Sequence, residues 1–407
     1  MKKQLSVISY RLSFIGFLLL MILGFQFNIS AQIAIKGEIV WTMAGSPIQN
    51  GVVLVKDGKI EAVGKEGQIQ IPANYTVVSA KVVTPGLIDA HSVIGLAGYL
   101  NQPHDQMQVE ESSPMQPELR AIDAYNAEEK LIEWVRSLGV TTIHTGHAPA
   151  ALISGQTMIA KTVGKNVDEA TVNPFAMIAV TIGERSMESG GKSPGTSAKQ
   201  AAMLREMLMK AQDYGKKKDA PRDLKMEALK MVIDGKIPLL VTAHRARDIM
   251  TALRIAKEFN IKIVLDGVAE AHLVMDEIKA SGFLVIVHPT MYRAGGETEN
   301  LSMETASKLK KAGIPFALQS GYETYVPKTR VVLFEAATTL AYGLNFQDAL
   351  ASITIDAAKV IGLDKQIGSI ETGKDADLAM YDGDPFEYTT HCVGTMINGK
   401  IVSSIVR

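Results

Sequence analysis

The chain is short of cysteine, of surplus charge and of long apolar runs, and each shortage excludes something. A single cysteine, Cys392, in 407 residues leaves no intramolecular disulfide. Lysine plus arginine number 42 against 43 aspartate plus glutamate, with no basic stripe and no acidic tail. That balance argues against nucleic acid or a charged membrane face as the main partner and leaves a small molecule. Lys216-Lys217-Lys218 is a solvated run with no inferred partner. The Gly190-Gly191-Lys192-Ser193 string lacks the leading glycine of a phosphate loop, because Ser186 stands at that place. One apolar stretch, residues 12–27, is shorter than the ~20 residues a spanning helix needs.

That stretch follows Lys2, Lys3 and Arg11 and precedes Ala31-Gln32, so residues 1–31 read as a cleaved signal peptide. Export without disulfides suits a bacterial periplasm. Signal removal leaves no membrane segment in the expected mature chain.

The remaining residues divide by periodicity. Residues 34–42, 51–56, 60–63 and 75–83 alternate as strands, with a turn at Asp57-Gly58. Residues 376–382 and 393–402 repeat the style around Asn398-Gly399. Both ends therefore predict one small β-sandwich domain, residues 32–84 plus 368–407. The stretch between, residues 85–367, holds continuous apolar runs at 87–92, 141–147, 177–183, 238–244, 262–267, 283–289 and 315–321, separated by helical patterns. Such runs fit buried parallel strands. With a weaker strand at 156–163 they make eight, which favours a (β/α)8 TIM-type barrel over an open doubly wound sheet. The fold class is α/β.

Barrels of this type carry chemistry at strand C-terminal ends. Five histidines, His91, His144, His147, His244 and His288, lie in or at the ends of the expected strands. Neutral imidazole is the commonest ligand for zinc-like ions, although a lone strand-end histidine is ordinarily a hydrogen-bonded core residue.

The run from Val83-Thr84-Pro85-Gly86 to Leu87-Ile88-Asp89-Ala90-His91 resembles the first barrel strand of the amidohydrolase superfamily, nearest its imidazolonepropionase-like branch. Gly368-Ser369-Ile370-Glu371-Thr372-Gly373-Lys374-Asp375-Ala376-Asp377-Leu378 resembles that family's return into its β-domain, and Asp382-Gly383-Asp384-Pro385 extends the match. The resemblance implies metal-assisted hydrolysis of carbon–nitrogen bonds other than peptide bonds, in amides or cyclic amides, with a divalent ion such as zinc activating water. It implies ligands from a His-x-His on strand one, histidines on strands five and six, and an aspartate on strand eight.

Carried over, His91 and His244 match, Asp266 stands where strand six has histidine, and Val93 and Gly321 offer no donor. Three readings stay open. A remodelled hydrolase would take metal ligands from His91, His244, Asp266 and Glu184, with Glu323 as replacement base. A non-catalytic barrel would bind a ligand or a partner chain. A metal-free enzyme would use His244 or His288 as base. A homo-oligomer or a complex with a paralogue is compatible by analogy with the family.

Overall fold

The computed structural model describes residues 32–217, 219–322 and 331–404. The expected signal segment and Glu323 lie outside them. Among the described residues no helix is long and apolar enough to cross a membrane.

The two termini meet in one sheet. Four strands come from the N-terminal side: β1 (Ile33–Val40), β2 (Ile48–Lys56), β3 (Lys59–Lys65) and β4 (Thr76–Pro85). Alternation along β1 sends Ile33 and Ile35 into one apolar cluster with Val53, Val83 and Met396, and Ala34 into another with Val52, Leu54 and Tyr75. Both faces of the strand are thereby covered.

The middle of the chain supplies two further sheets. One contains β5 (Leu87–Ser92), β6 (Val140–Thr145), β8 (Met158–Lys161) and β9 (Thr171–Asn173), in that order. The other runs β14-β13-β12-β11-β10-β7, from β7 (Ile153–Gln156) and β10 (Ile178–Thr181) through β11 (Leu239–Ala243), β12 (Ile263–Gly267) and β13 (Leu284–Val287) to β14 (Phe316–Ala317). Strands β10 to β14 are parallel, as continuous burial demands. Two strands depart from an all-parallel pattern: β8 runs antiparallel to β6, and β7 antiparallel to β10. Contacts join the arcs on both sides. A parallel bridge links Ser92 to Gly321, and Thr157 and Met177 share a backbone bond of 2.9 Å.

At the C-terminal end, β15 (Leu378–Tyr381), β16 (Cys392–Ile397) and β17 (Lys400–Ser404) return to the first sheet through β4, giving the order β17-β16-β15-β4-β1-β2-β3. The sandwich expected from alternation is thus a single hydrogen-bonded sheet of seven strands. A buried ion pair between Lys161 on β8 and Asp377 beside β15 ties this sheet to the central unit.

Alternation also sets the two faces of the central strands. Leu239, Val241 and Ala243 pack with Ile249, Ala252 and Ile255 of helix Ala246–Phe259. Leu240, Val264 and Ile286 join Ile88, Ile159 and Ala317 on the other face. Residues two apart share a face, so Thr242 and Asp266 continue this second face toward the C-terminal ends.

Candidate functional site

Beyond the apolar layer at the C-terminal ends, the second face becomes polar. Asp266 is completely buried, and every contact it makes offsets the cost of holding a carboxylate there. Thr242 donates to its Oδ2 at 2.6 Å, and Gln319 donates from Nε2 to its Oδ1 at 2.7 Å. The Gln319 amide is fixed in turn on the Val287 carbonyl at 2.9 Å. His91 Nδ1 lies 3.2 Å from Asp266 Oδ2. Burial pushes the Asp266 carboxyl up, but His91 and the bond from Thr242 outweigh it and hold the group below the usual carboxylate range. His91 Nε2 is buried with no hydrogen-bond partner.

His244 follows β11 and reaches the same region. Its Nε2 lies 3.1 Å from the Tyr322 hydroxyl, and its Nδ1 is buried without a partner. Burial pushes His244 down to about 4, so the ring is neutral at physiological pH. Burial also raises the Tyr322 phenol well above its ordinary value. The hydroxyl therefore keeps its proton and shares a hydrogen bond with Nε2; with the hydroxyl as donor, Nδ1 is the N–H nitrogen. The approach depends on Gly267, where a β-carbon would sit 2.5 Å from the His244 ring. The Tyr322 ring centre lies 5.7 Å from that of His91, and the Arg185 guanidinium stands over it at 5.2 Å.

Above this centre, a cavity of about 430 Å3 is lined by Glu184, Arg185, Tyr292, Arg293 and Glu297. Tyr292 stacks on His244 at 6.5 Å, so Tyr292 and Arg185 are the wall between cavity and centre. A larger groove of about 980 Å3 lies at the N-terminal ends of β11 and β12, among Leu253, Lys257, Lys262 and Phe283. It is remote from the histidines of the centre.

Not every residue expected at the centre is there. Glu184 is half exposed and pairs with Arg245 at 3.3 Å, so it is not brought to His91 and Asp266 as a ligand. His288 has both nitrogens engaged, Nδ1 with the Pro289 carbonyl at 2.9 Å and Nε2 with the Thr305 hydroxyl at 3.1 Å. It braces a loop and is not poised as a base. His144 is engaged likewise, with the Ala90 carbonyl and the Thr157 hydroxyl, both at 2.7 Å. Sequence reasoning missed Thr242, Gln319 and Tyr322. Thr242 faces the centre on the alternation of β11, and Gln319 lies two residues beyond Ala317 of β14, a signal that was available.

The donor set does not fit the divalent ion that the family resemblance implies. Among the described residues no three of histidine, cysteine, aspartate and glutamate gather to hold one. Both Asp266 oxygens already accept hydrogen bonds. Val93, where a second histidine would stand, is fully buried against Ala97, Ala148 and Tyr322.

The description of an amidohydrolase family matches residues 96–403. An imidazolonepropionase of Geobacillus is 24% identical over 82% of this chain and 84% of its own length. An amidohydrolase of Hapsidospora irregularis is 23% identical over 88% of this chain, which spans only 40% of that longer protein. Among solved structures, an amidohydrolase from Thermotoga maritima superposes with a TM-score of 0.86 at 32% identity, over 92% of this chain and all of the other. That likeness implies a TIM-barrel-type fold with an added domain. On family description and structure together, this chain belongs to the amidohydrolase family.

Proposed function

We propose that the chain hydrolyses a carbon–nitrogen bond of a small molecule, an amide or cyclic amide, at a centre reduced to His91, Asp266 and His244. The observation that carries this reading is the buried pair of His91 and Asp266 with His91 Nε2 left open. A carboxylate at one imidazole nitrogen orients the ring and favours the proton on that side, which leaves the other nitrogen basic. Nε2 then takes a proton from a water as its oxygen bonds to the carbonyl carbon. His91 returns that proton to the departing nitrogen as the carbon–nitrogen bond breaks. His244 Nδ1–H is the available donor to the carbonyl oxygen, and its neutrality suits that role. The substrate reaches the centre from the cavity over Tyr292. The charged run and apolar stretch of residues 1–31 support export of the working chain.

A second reading has its own observation. Among the described residues the centre holds no gathering of three metal donors, and Val93 and Gly321 stand at two ligand positions. That fits a barrel that binds a carbon–nitrogen compound without consuming it.

The discriminating experiment incubates residues 32–407 with a panel of cyclic amides and N-acyl compounds, following thermal shift for binding and mass for cleavage. One class that both binds and is cleaved is the expected result, a cyclic amide gaining the mass of water or an N-acyl compound giving an acid and an amine whose masses sum to substrate plus water. A class that shifts the melting temperature and is never cleaved overturns the hydrolase in favour of the binding barrel.

A further inference from the structure

We infer that protein atoms occupy the place of the cation in this family, with Tyr322 as the filling group, so that the centre works without a bound metal. Four observations converge on this. Tyr322 is buried in a small apolar cluster with Val93, Ala97 and Ala148, so a ring and three aliphatic groups lie beside the two imidazoles. Its hydroxyl sits 3.1 Å from His244 Nε2 and, donating there, engages the electron pair a metal would need. Its other face carries the Arg185 guanidinium at 5.2 Å, a fixed positive charge where a second cation would be repelled. Gly321 adopts a φ of 96°, a backbone state that residues with side chains rarely take, so an acidic ligand there would be strained as well as absent.

Together these make Tyr322 a positioning residue. It fixes the His244 tautomer by hydrogen bonding, the task that metal ligation performs for such a histidine. Both Asp266 oxygens are taken within the protein, Oδ2 by Thr242 with His91 Nδ1 3.2 Å away, and Oδ1 by Gln319, so neither is turned toward an ion.

The inference rests on the reading above only for the location of the centre. Its test reads metal content and not turnover, so the two can fail separately. Wild-type protein, Tyr322→Ala and the double variant Val93→His, Tyr322→Ala are each dialysed against zinc, then measured for bound zinc by elemental analysis and for melting temperature. Wild type is expected to hold far less than one zinc per chain and to melt at the same temperature with zinc or with chelator. Tyr322→Ala frees His244 Nε2 and is expected to gain a zinc-dependent rise in melting temperature, which Val93→His strengthens toward one ion per chain. If Val93→His prevents folding, the single Tyr322→Ala variant carries the test. Stoichiometric zinc in the wild type that chelator removes with a fall in melting temperature overturns the inference. So does a folded Tyr322→Ala protein that binds no more zinc than wild type, because Tyr322 would not then be the filling group.

Discussion

Histidines at strand ends look alike in a sequence and differ completely in their surroundings. His91 keeps an open nitrogen beside a carboxylate, whereas His288 spends both nitrogens on the Pro289 carbonyl and the Thr305 hydroxyl. The difference has a consequence in acid. Burial pushes His288 down to about 4 in the folded state, below the ordinary value of 6.5. As pH falls from about 6.5 toward 4 the unfolded chain takes a proton that the folded chain refuses, so stability is lost across that window. The contribution is on the order of 1 kcal/mol per pH unit for one such group. Urea unfolding at pH 7, 6 and 5 is expected to show a steeper decline for wild type than for His288→Gln. Equal declines would mean that His288 takes up no extra proton on unfolding. The strand-end positions of His91, His244 and Asp266 were legible in the sequence, because continuous apolar runs place them. Which nitrogens stay open was not, since that depends on Thr305, Thr157 and Tyr322, partners distant in the chain.

At the scale of elements, the strands that alternate or run continuously apolar were legible, and short or reversed ones were not. Strands β11, β12 and β13 fall inside the expected runs to within a residue or two. The weaker candidate at 156–163 is a strand, but an antiparallel one, and β7 and β9 are too short to announce themselves by periodicity. Strand β14 keeps only two residues in regular pairing out of a longer apolar run. The loop after β13 shows what such readings leave out. Arg245 holds it from below, contacting Glu299 at 2.9 Å, the Gly296 carbonyl at 3.1 Å and Glu184 at 3.3 Å. That clasp keeps Tyr292 stacked on His244 and the cavity wall closed. Arg245→Met is expected to raise proteolytic cleavage within residues 289–300 several-fold at unchanged melting temperature, because exposed ion pairs contribute little to global stability. Unchanged cleavage would show that packing alone holds the loop.

For the whole molecule, family and general architecture were legible because paired motifs at Val83–His91 and Gly368–Leu378 bracket the central unit. The single seven-stranded sheet was not, since alternation tells which face a residue takes and not which strand it pairs with. Val93 and Gly321 stand in the sequence where the family resemblance implies ligands, whereas nothing in the sequence marks Tyr322 as a filling group. On our proposal, a family of metal-assisted hydrolases is represented here by a centre of His91, Asp266 and His244 that works without a cation. For any compound found to be cleaved, the direct measurement is kcat and KM in chelator-treated buffer for wild type, His91→Gln and Asp266→Asn. Wild type is expected to keep its full rate after chelation, and each variant to lose about 100-fold or more in kcat with KM little changed. Loss of the wild-type rate on chelation, or full activity in His91→Gln, would contradict it.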